Sequence, residues 1–153
     1  TPVFPRRLFR AVLDQFGADA DILIVREGDR PVSAVLTLYH QGRVMPYWGG
    51  GLADARRLRS NELMYYRLMT HGRARGMTLF DFGRSKASSG QAAWKKSFGF
   101  YPLPLVYHAW SADGAQRDID PGSARYQRRV ALWKKLPLPI ANFIGPFISR
   151  GLG

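Results

Sequence analysis

The chain has 153 residues, 46% of them hydrophobic, and 23 Lys and Arg against 11 Asp and Glu give a formal charge of +12. That length suits one ordinary globular domain able to bury a core, and the excess of cations favours anionic partners such as nucleic acid, phosphorylated small molecules or an acidic membrane face. With no cysteine, disulfides and thiol chemistry are excluded, in keeping with a cytoplasmic setting, and no apolar run reaches the roughly 18 residues that span a bilayer.

Residues 5–16 carry Leu8, Phe9, Val12, Leu13 and Phe16 at helical spacing between Pro5 and Gly17, which predicts an amphipathic helix. Two β-rich runs follow, 21–27 and 31–40, parted by Gly28, Asp29 and Arg30. A third, 43–49, comes after Gln41 and Gly42. Tight turns between three strands predict an antiparallel meander.

From Arg56 to Arg75 a helix is expected, with Leu58, Tyr65, Leu68 and Met69 on the face that lies on the sheet. Residues 77–83 then read as a short buried strand and 91–98 as a two-turn helix. Residues 101–110 read as an edge strand, since Pro102 and Pro104 suit an edge or a bulge. The polar stretch after Trp110 reads as a linker, giving a domain over 1–122 and a basic helical tail over 123–153. That tail holds Arg125, Arg128, Arg129, Lys134, Lys135 and Arg150 with no acid. A start at Thr1 in place of Met, with no signal-type apolar region, reads as a piece cut from a longer protein.

Residues 80–100 hold the densest chemistry. An apolar strand enters a glycine-punctuated loop and a basic-aromatic helix, placing Asp81, Arg84, Ser85, Lys86 and Lys95 around one strand end, where open α/β sheets hold ligands. A guanidinium fork, a hydroxyl, an ammonium and backbone donors suit a phosphate or carboxylate, although such a loop can be merely basic. The run GRSKASSG lacks the Gly-Lys-Ser/Thr ending of a phosphate-binding Walker loop. Asp81 alternates with Phe80 and Phe82 and so faces away from them, free to hold Arg84 or Lys95 or to act as a base towards an amine. His40, His71 and His108 have no acidic companions at ligand spacing, so no metal site is predicted, and no serine has a convincing His partner for a hydrolytic triad.

Through PYWGGGL, SNELMYY, FDFGRSK, WKKSFGF and the terminal KKLPLPIAN, the chain resembles the C-terminal half of FemAB-related proteins associated with the PEP-CTERM and exosortase system. The resemblance implies an α/β, GNAT-like fold: a mixed, largely antiparallel sheet flanked by helices, forming one of two similar lobes. It further implies an acyl- or aminoacyltransferase acting on an amine of a cell-envelope or exopolysaccharide-related substrate. Acetyl-CoA, another acyl-CoA or aminoacyl-tRNA are the candidate donors, and the N-terminal lobe of the same protein is the expected partner. A basic RNA- or membrane-binding lobe without catalysis is the alternative.

Lys95 matches the aromatic-Lys-x-x-aromatic-Gly pattern of these families. Acyl transfer builds negative charge on the carbonyl oxygen, and losing one donor to it typically costs about 2.7 to 4 kcal/mol. The plainer reading has Lys95 and Lys96 on a solvated helix face. The resemblance places donor binding at PYWGGG, a strand end before a helix, but the usual Gln/Arg-x-x-Gly-x-Gly/Ala pattern is absent, which favours a Fem-like donor. There Tyr47 and Trp48 can stack on a sugar or base, or belong to the core. Glu62 falls near the apolar stripe with Asn61 and Tyr65 on the same side, and an acid there needs a partner such as Arg84, a role in the reaction, or the helix dipole. The tail mixes cations with Trp133, Leu136, Ile140, Phe143, Ile144, Phe147 and Ile148, fitting either the missing lobe or an anionic membrane surface and a peripheral place at the inner membrane.

Overall fold

A computed structural model describes residues 4–108, 110–114 and 130–149. The chain divides into two compact units, Ala11–Pro102 and Thr1–Arg10 with Leu103–Gly153. Helix α1 (Arg6–Phe16) is followed by β1 (Ala20–Glu27), β2 (Arg30–His40), β3 (Arg43–Gly51), α2 (Ser60–Ala74), the two-residue β4 (Leu79–Phe80), α3 (Gly90–Lys96) and α4 (Leu138–Ser149). The sheet runs β1-β2-β3-β4, antiparallel across the first three strands and parallel between β3 and β4. The predicted meander is therefore present, with both turns where expected.

The β2–β3 turn explains its own sequence. His40 pairs with Arg43, leaving Gln41 and Gly42 as central residues at φ 47° and 73°. Two positive φ values are what a two-residue hairpin needs to match the strand twist.

Helix α2 lies on the sheet and closes the core. Met64 and Leu68 meet Val35, Tyr39 and Val44, with Leu23, Val25, Tyr65, Met77 and Phe80 packed around them. Contact is close because of Gly72: a Cβ there would sit 2.3 Å from Cγ2 of Val44. The helix begins at Ser60, later than its apolar spacing suggests, because Arg59 takes a left-handed conformation at φ 50°, ψ 30°. Arg56–Arg59 thus form turns ahead of the helix and not its first turn.

Two other expectations change. The strand at 77–83 shrinks to Leu79–Phe80, and Leu79 is half exposed. Residues 101–108 form no strand, and Tyr101, Leu103 and Val106 are exposed. Pro102 and Pro104 each lack the N–H a ladder requires, so apolar composition alone does not make this segment a strand. Most of the predicted linker, and Arg125, Arg128, Arg129 and Arg150 of the tail, lie outside the described residues.

The far end of α2 is tied down by polar groups. Asp21 on β1 accepts from the Tyr39 hydroxyl at 2.9 and 3.0 Å, sits 3.1 Å from Nε2 of His71, and accepts from Arg75 at 3.4 Å. The Arg75 guanidinium also stacks 3.8 Å over the Tyr39 ring and donates to the Ala18 carbonyl. Burial first, then the Asp21 carboxylate, holds the Tyr39 hydroxyl well above the ordinary phenol range. Its folded-state value exceeds its unfolded one, so its contribution to stability is complete below about pH 10 and is lost as pH rises beyond that.

Gly72→Ala should destabilise the protein by about 1 to 3 kcal/mol through overpacking against Val44, measurable by urea denaturation. In the same assay run from about pH 8 to about pH 11, Tyr39→Phe should flatten the alkaline loss of stability seen in the parent chain.

Candidate functional site

The site grows from a fork in the sheet. Strand β3 pairs with β4 only at Arg43 with Leu79 and Val44 with Phe80, and the last contact is the Asp81 N–H donating to the Val44 carbonyl at 2.9 Å. Beyond it, the second edge of β3 has no strand partner among the described residues. A bulge bends the strand there: Leu36 opposes Trp48 and Thr37 opposes Pro46, leaving Tyr47 unopposed. Gly49–Gly51 then complete β3.

Helix α2 walls the fork on one side. A Cβ on Gly49 would lie 3.9 Å from the Tyr65 hydroxyl, and one on Gly51 would lie 3.4 Å from Asn61 Oδ1 and 2.6 Å from Cβ of Ala55. Glycine is required at 51 because any side chain would collide with Ala55. Asn61 and Tyr65 thus flank the glycine run, as the helical spacing implies.

Tyr65 is held by a box of aromatic rings. It stacks on Phe82 at 5.6 Å with the ring planes only 4° apart, and meets Trp94 edge-on at 4.9 Å. Phe80, Phe98 and Phe100 extend the cluster around Phe82. Burial in these rings raises the Tyr65 hydroxyl above its ordinary value, so it keeps its proton at neutral pH.

Lys95 does not reach into open solvent. Its Nζ donates to the carbonyls of Phe82, Gly83 and Arg84 at 2.5, 3.2 and 3.3 Å. An ammonium has three protons, so these contacts engage all of them. Burial lowers the Lys95 pKa, partly offset by the charge of Asp81. Asp81 itself accepts from the Gly83 N–H at 2.8 Å. Together the two side chains fold the loop after β4 into a fixed shape.

The remaining residues distribute unevenly. Arg84 and Ser85 are exposed, with the Ser85 hydroxyl turned onto the Arg84 carbonyl at 2.9 Å. The Lys86 carbonyl accepts from the Ser89 hydroxyl and N–H. The Arg84 guanidinium makes no ion pair or hydrogen bond among the described residues. Tyr47 is exposed and packs against Trp48 at 4.4 Å. Glu62 is exposed, outside the buried stripe of Ser60, Met64, Leu68 and Gly72. It accepts from the Trp94 indole N–H at 3.4 Å in place of pairing with Arg84, a partner that sequence spacing could not reveal.

A further group of cations was hidden by the helix boundary. Because α2 starts at Ser60, Arg56, Arg57 and Arg59 stand exposed just before its N-terminus. That end has no side-chain hydrogen-bond cap, leaving the first N–H groups and the positive end of the helix dipole near Gly51. Arg57 leans 4.0 Å from Asp54, which also pairs with Arg30. The legible signal was a cation run directly ahead of an apolar period.

Residues 1–96 match a family described as Acetyltransferase (GNAT) domain. The chain belongs to the GNAT acetyltransferase family. No curated protein matches it. The GNAT match runs from α1 to the end of α3 and covers every residue of the fork, including Lys95. The mixed sheet with its flanking helices is accordingly an α/β GNAT-like fold, and acyl transfer is the chemistry this family supports.

Replacing Lys95 with Met should free the 82–84 carbonyls, since hydrogen bonds to charged groups contribute about 1.5 to 3 kcal/mol. Amide hydrogen exchange at Gly83 should accelerate at least about tenfold. Unchanged exchange there would remove the clamp from the account.

Proposed function

We propose that the chain transfers an activated acyl or aminoacyl group to the amine of a cell-envelope or exopolysaccharide-related acceptor. The observation that carries the reading is the parting of β3 from β4 at the Asp81–Val44 bond, with the Tyr65 hydroxyl beside Gly49. An unpaired strand edge offers N–H and C=O groups to an extended ligand, and it leads the reactive carbonyl to the fork.

In this reading the amine nitrogen attacks the carbonyl carbon, forming a tetrahedral oxyanion that backbone N–H groups of β3 beyond the fork stabilise. The Asp81 carboxylate takes the proton the amine sheds. As the carbon–sulfur or carbon–oxygen bond breaks, the leaving thiolate or alkoxide receives the Tyr65 proton. Lys95 is a positioning residue, holding the 82–84 loop so that Asp81 and Arg84 keep their places. Holding amine and activated ester together supplies much of the rate, since proximity can remove about 7 to 11 kcal/mol of barrier.

The donor's phosphates are assigned to the N-terminus of α2, with Arg56 and Arg59 beside it and Arg84 and Lys86 as a second anion grip. Both acyl-CoA and aminoacyl-tRNA present phosphate at a distance from the acyl carbon. The missing Gln/Arg-x-x-Gly-x-Gly/Ala pattern favours the aminoacyl donor, and the Fem-like resemblance gives the same preference.

Thermal unfolding with acetyl-CoA, an aminoacyl-RNA mimic and a nucleotide sugar tests the class. Ligand at about 100 times its Kd adds about 2.7 kcal/mol, so one of the two acyl donors should raise Tm by several degrees. Stabilisation by the nucleotide sugar alone would overturn the proposal. With the stabilising donor in a transfer assay, Tyr65→Phe should lower kcat by about 10² or more at near-constant KM.

A further inference from the structure

Helix α4 is built the wrong way round for a buried helix. Its sequence LPIANFIGPFIS carries no charged side chain. The residues it buries are the small Gly145 and Ser149, while Leu138, Phe143 and Phe147 are 71%, 73% and 61% exposed. At 100° per residue, Ile140, Phe143 and Phe147 fall in one stripe about 60° wide, and the two phenylalanine rings meet at 6.0 Å. Large apolar side chains therefore form a continuous outward ridge.

Cations lead into it. Residues 130–134 are helical, with Leu132 exposed, and Lys134 and Lys135 stand exposed just ahead of α4. Across 123–153 the sequence has six Lys and Arg and no Asp or Glu. Trp110, in the same compact unit, is 87% exposed. At 1.5 Å per residue, α4 is about 18 Å long, short of the roughly 30 Å hydrocarbon core. Among the described residues no helix is long and apolar enough to cross a membrane. An apolar ridge of this length can lie along a bilayer but not traverse it.

We propose that α4 seats the Ile140, Phe143 and Phe147 stripe in the interface of an anionic lipid bilayer, with Lys134 and Lys135 at the phosphate level. The acid-free charge pattern selects this occupant. The centres of protein interfaces are depleted of lysine, whereas cations next to an apolar segment draw it to an anionic lipid surface. Long lysine stems let the ammonium groups stay in water while the apolar ridge sinks. This inference goes beyond the transferase reading and stands without it.

Co-sedimentation of the full chain with vesicles tests it. Phosphatidylcholine vesicles holding about one third phosphatidylglycerol should capture the chain at least about tenfold better than pure phosphatidylcholine, and salt near about 1 M should release it. Phe143→Asp with Phe147→Asp should abolish capture while a cooperative thermal transition is retained, both rings being more than half exposed. Lys134→Glu with Lys135→Glu, which leaves the ridge intact, should lose the preference for anionic vesicles. No capture by anionic vesicles, or equal capture of the double Phe variant, overturns the proposal. So does a lipid-free dimer that the double Phe variant dissolves, which would make a second copy the occupant.

Discussion

The site depends on how little β3 and β4 are bonded to each other. Two residue pairs, the Thr78 and Leu79 N–H groups on the Gly42 carbonyl and the Asp81 N–H on the Val44 carbonyl hold the strands parallel at their start. A longer ladder would zip the sheet shut and bury the edge of β3. The separation is enforced from both sides: the bulge at Tyr47 bends β3, while Asp81 and Lys95 turn the chain into a loop of its own. Lys95 spends its ammonium on three carbonyls that would otherwise be free to pair elsewhere. Among the described residues, β3 thus runs past the fork without a strand partner on that side.

Helix α2 sets the width of that opening because it is fixed at both ends. Near its C-terminus, Gly72 lets the backbone approach Val44, and His71 and Arg75 reach the Asp21 carboxylate. At its N-terminus, Gly51 admits Ala55 at a distance that no side chain would permit, with Asn61 in contact beside it. Between these anchors Met64 and Leu68 fill the core, so Tyr65, one residue along, has its ring direction set by packing on Phe82 and Trp94. A hydroxyl on a ring so constrained has little freedom to miss its place beside Gly49.

Most of this architecture was legible in the sequence, since turn chemistry and alternation specify a meander strongly. Gln41-Gly42 and Gly28-Asp29 mark their hairpins, and the glycine run after PYW marks the end of β3. What failed were elements whose character depends on partners. Residues 101–108 have strand-like composition, yet two prolines leave too few donors for a ladder, and composition does not count donors. The start of α2 was misplaced because Arg59 is left-handed, a conformation that non-glycine residues seldom announce. The site residues divide the same way. Helix period puts Tyr65 and Leu68 on the sheet-facing stripe, of which the structure buries Leu68, whereas the bond from Trp94 to Glu62 and the three carbonyls on Lys95 join segments that only tertiary packing brings together.

The side-chain chemistry around the fork suits a division of labour between Tyr65 and Asp81. Cations near a phenol would favour its ionised form and lower its pKa, and this chain is rich in cations. Burial in the aromatic box acts in the opposite direction, and it raises the Tyr65 hydroxyl. A phenol held protonated at neutral pH can give a proton but has none of the basicity needed to take one. A carboxylate has the opposite disposition, being an acceptor once ionised, and Asp81 stands where the strands separate. In the transfer proposed above, which must remove a proton from an amine and deliver one to a leaving group, we assign the first task to Asp81 and the second to Tyr65. On the same proposal the cations ahead of α2 serve the anionic part of the donor, a task for which a guanidinium suits phosphate and a buried phenol does not.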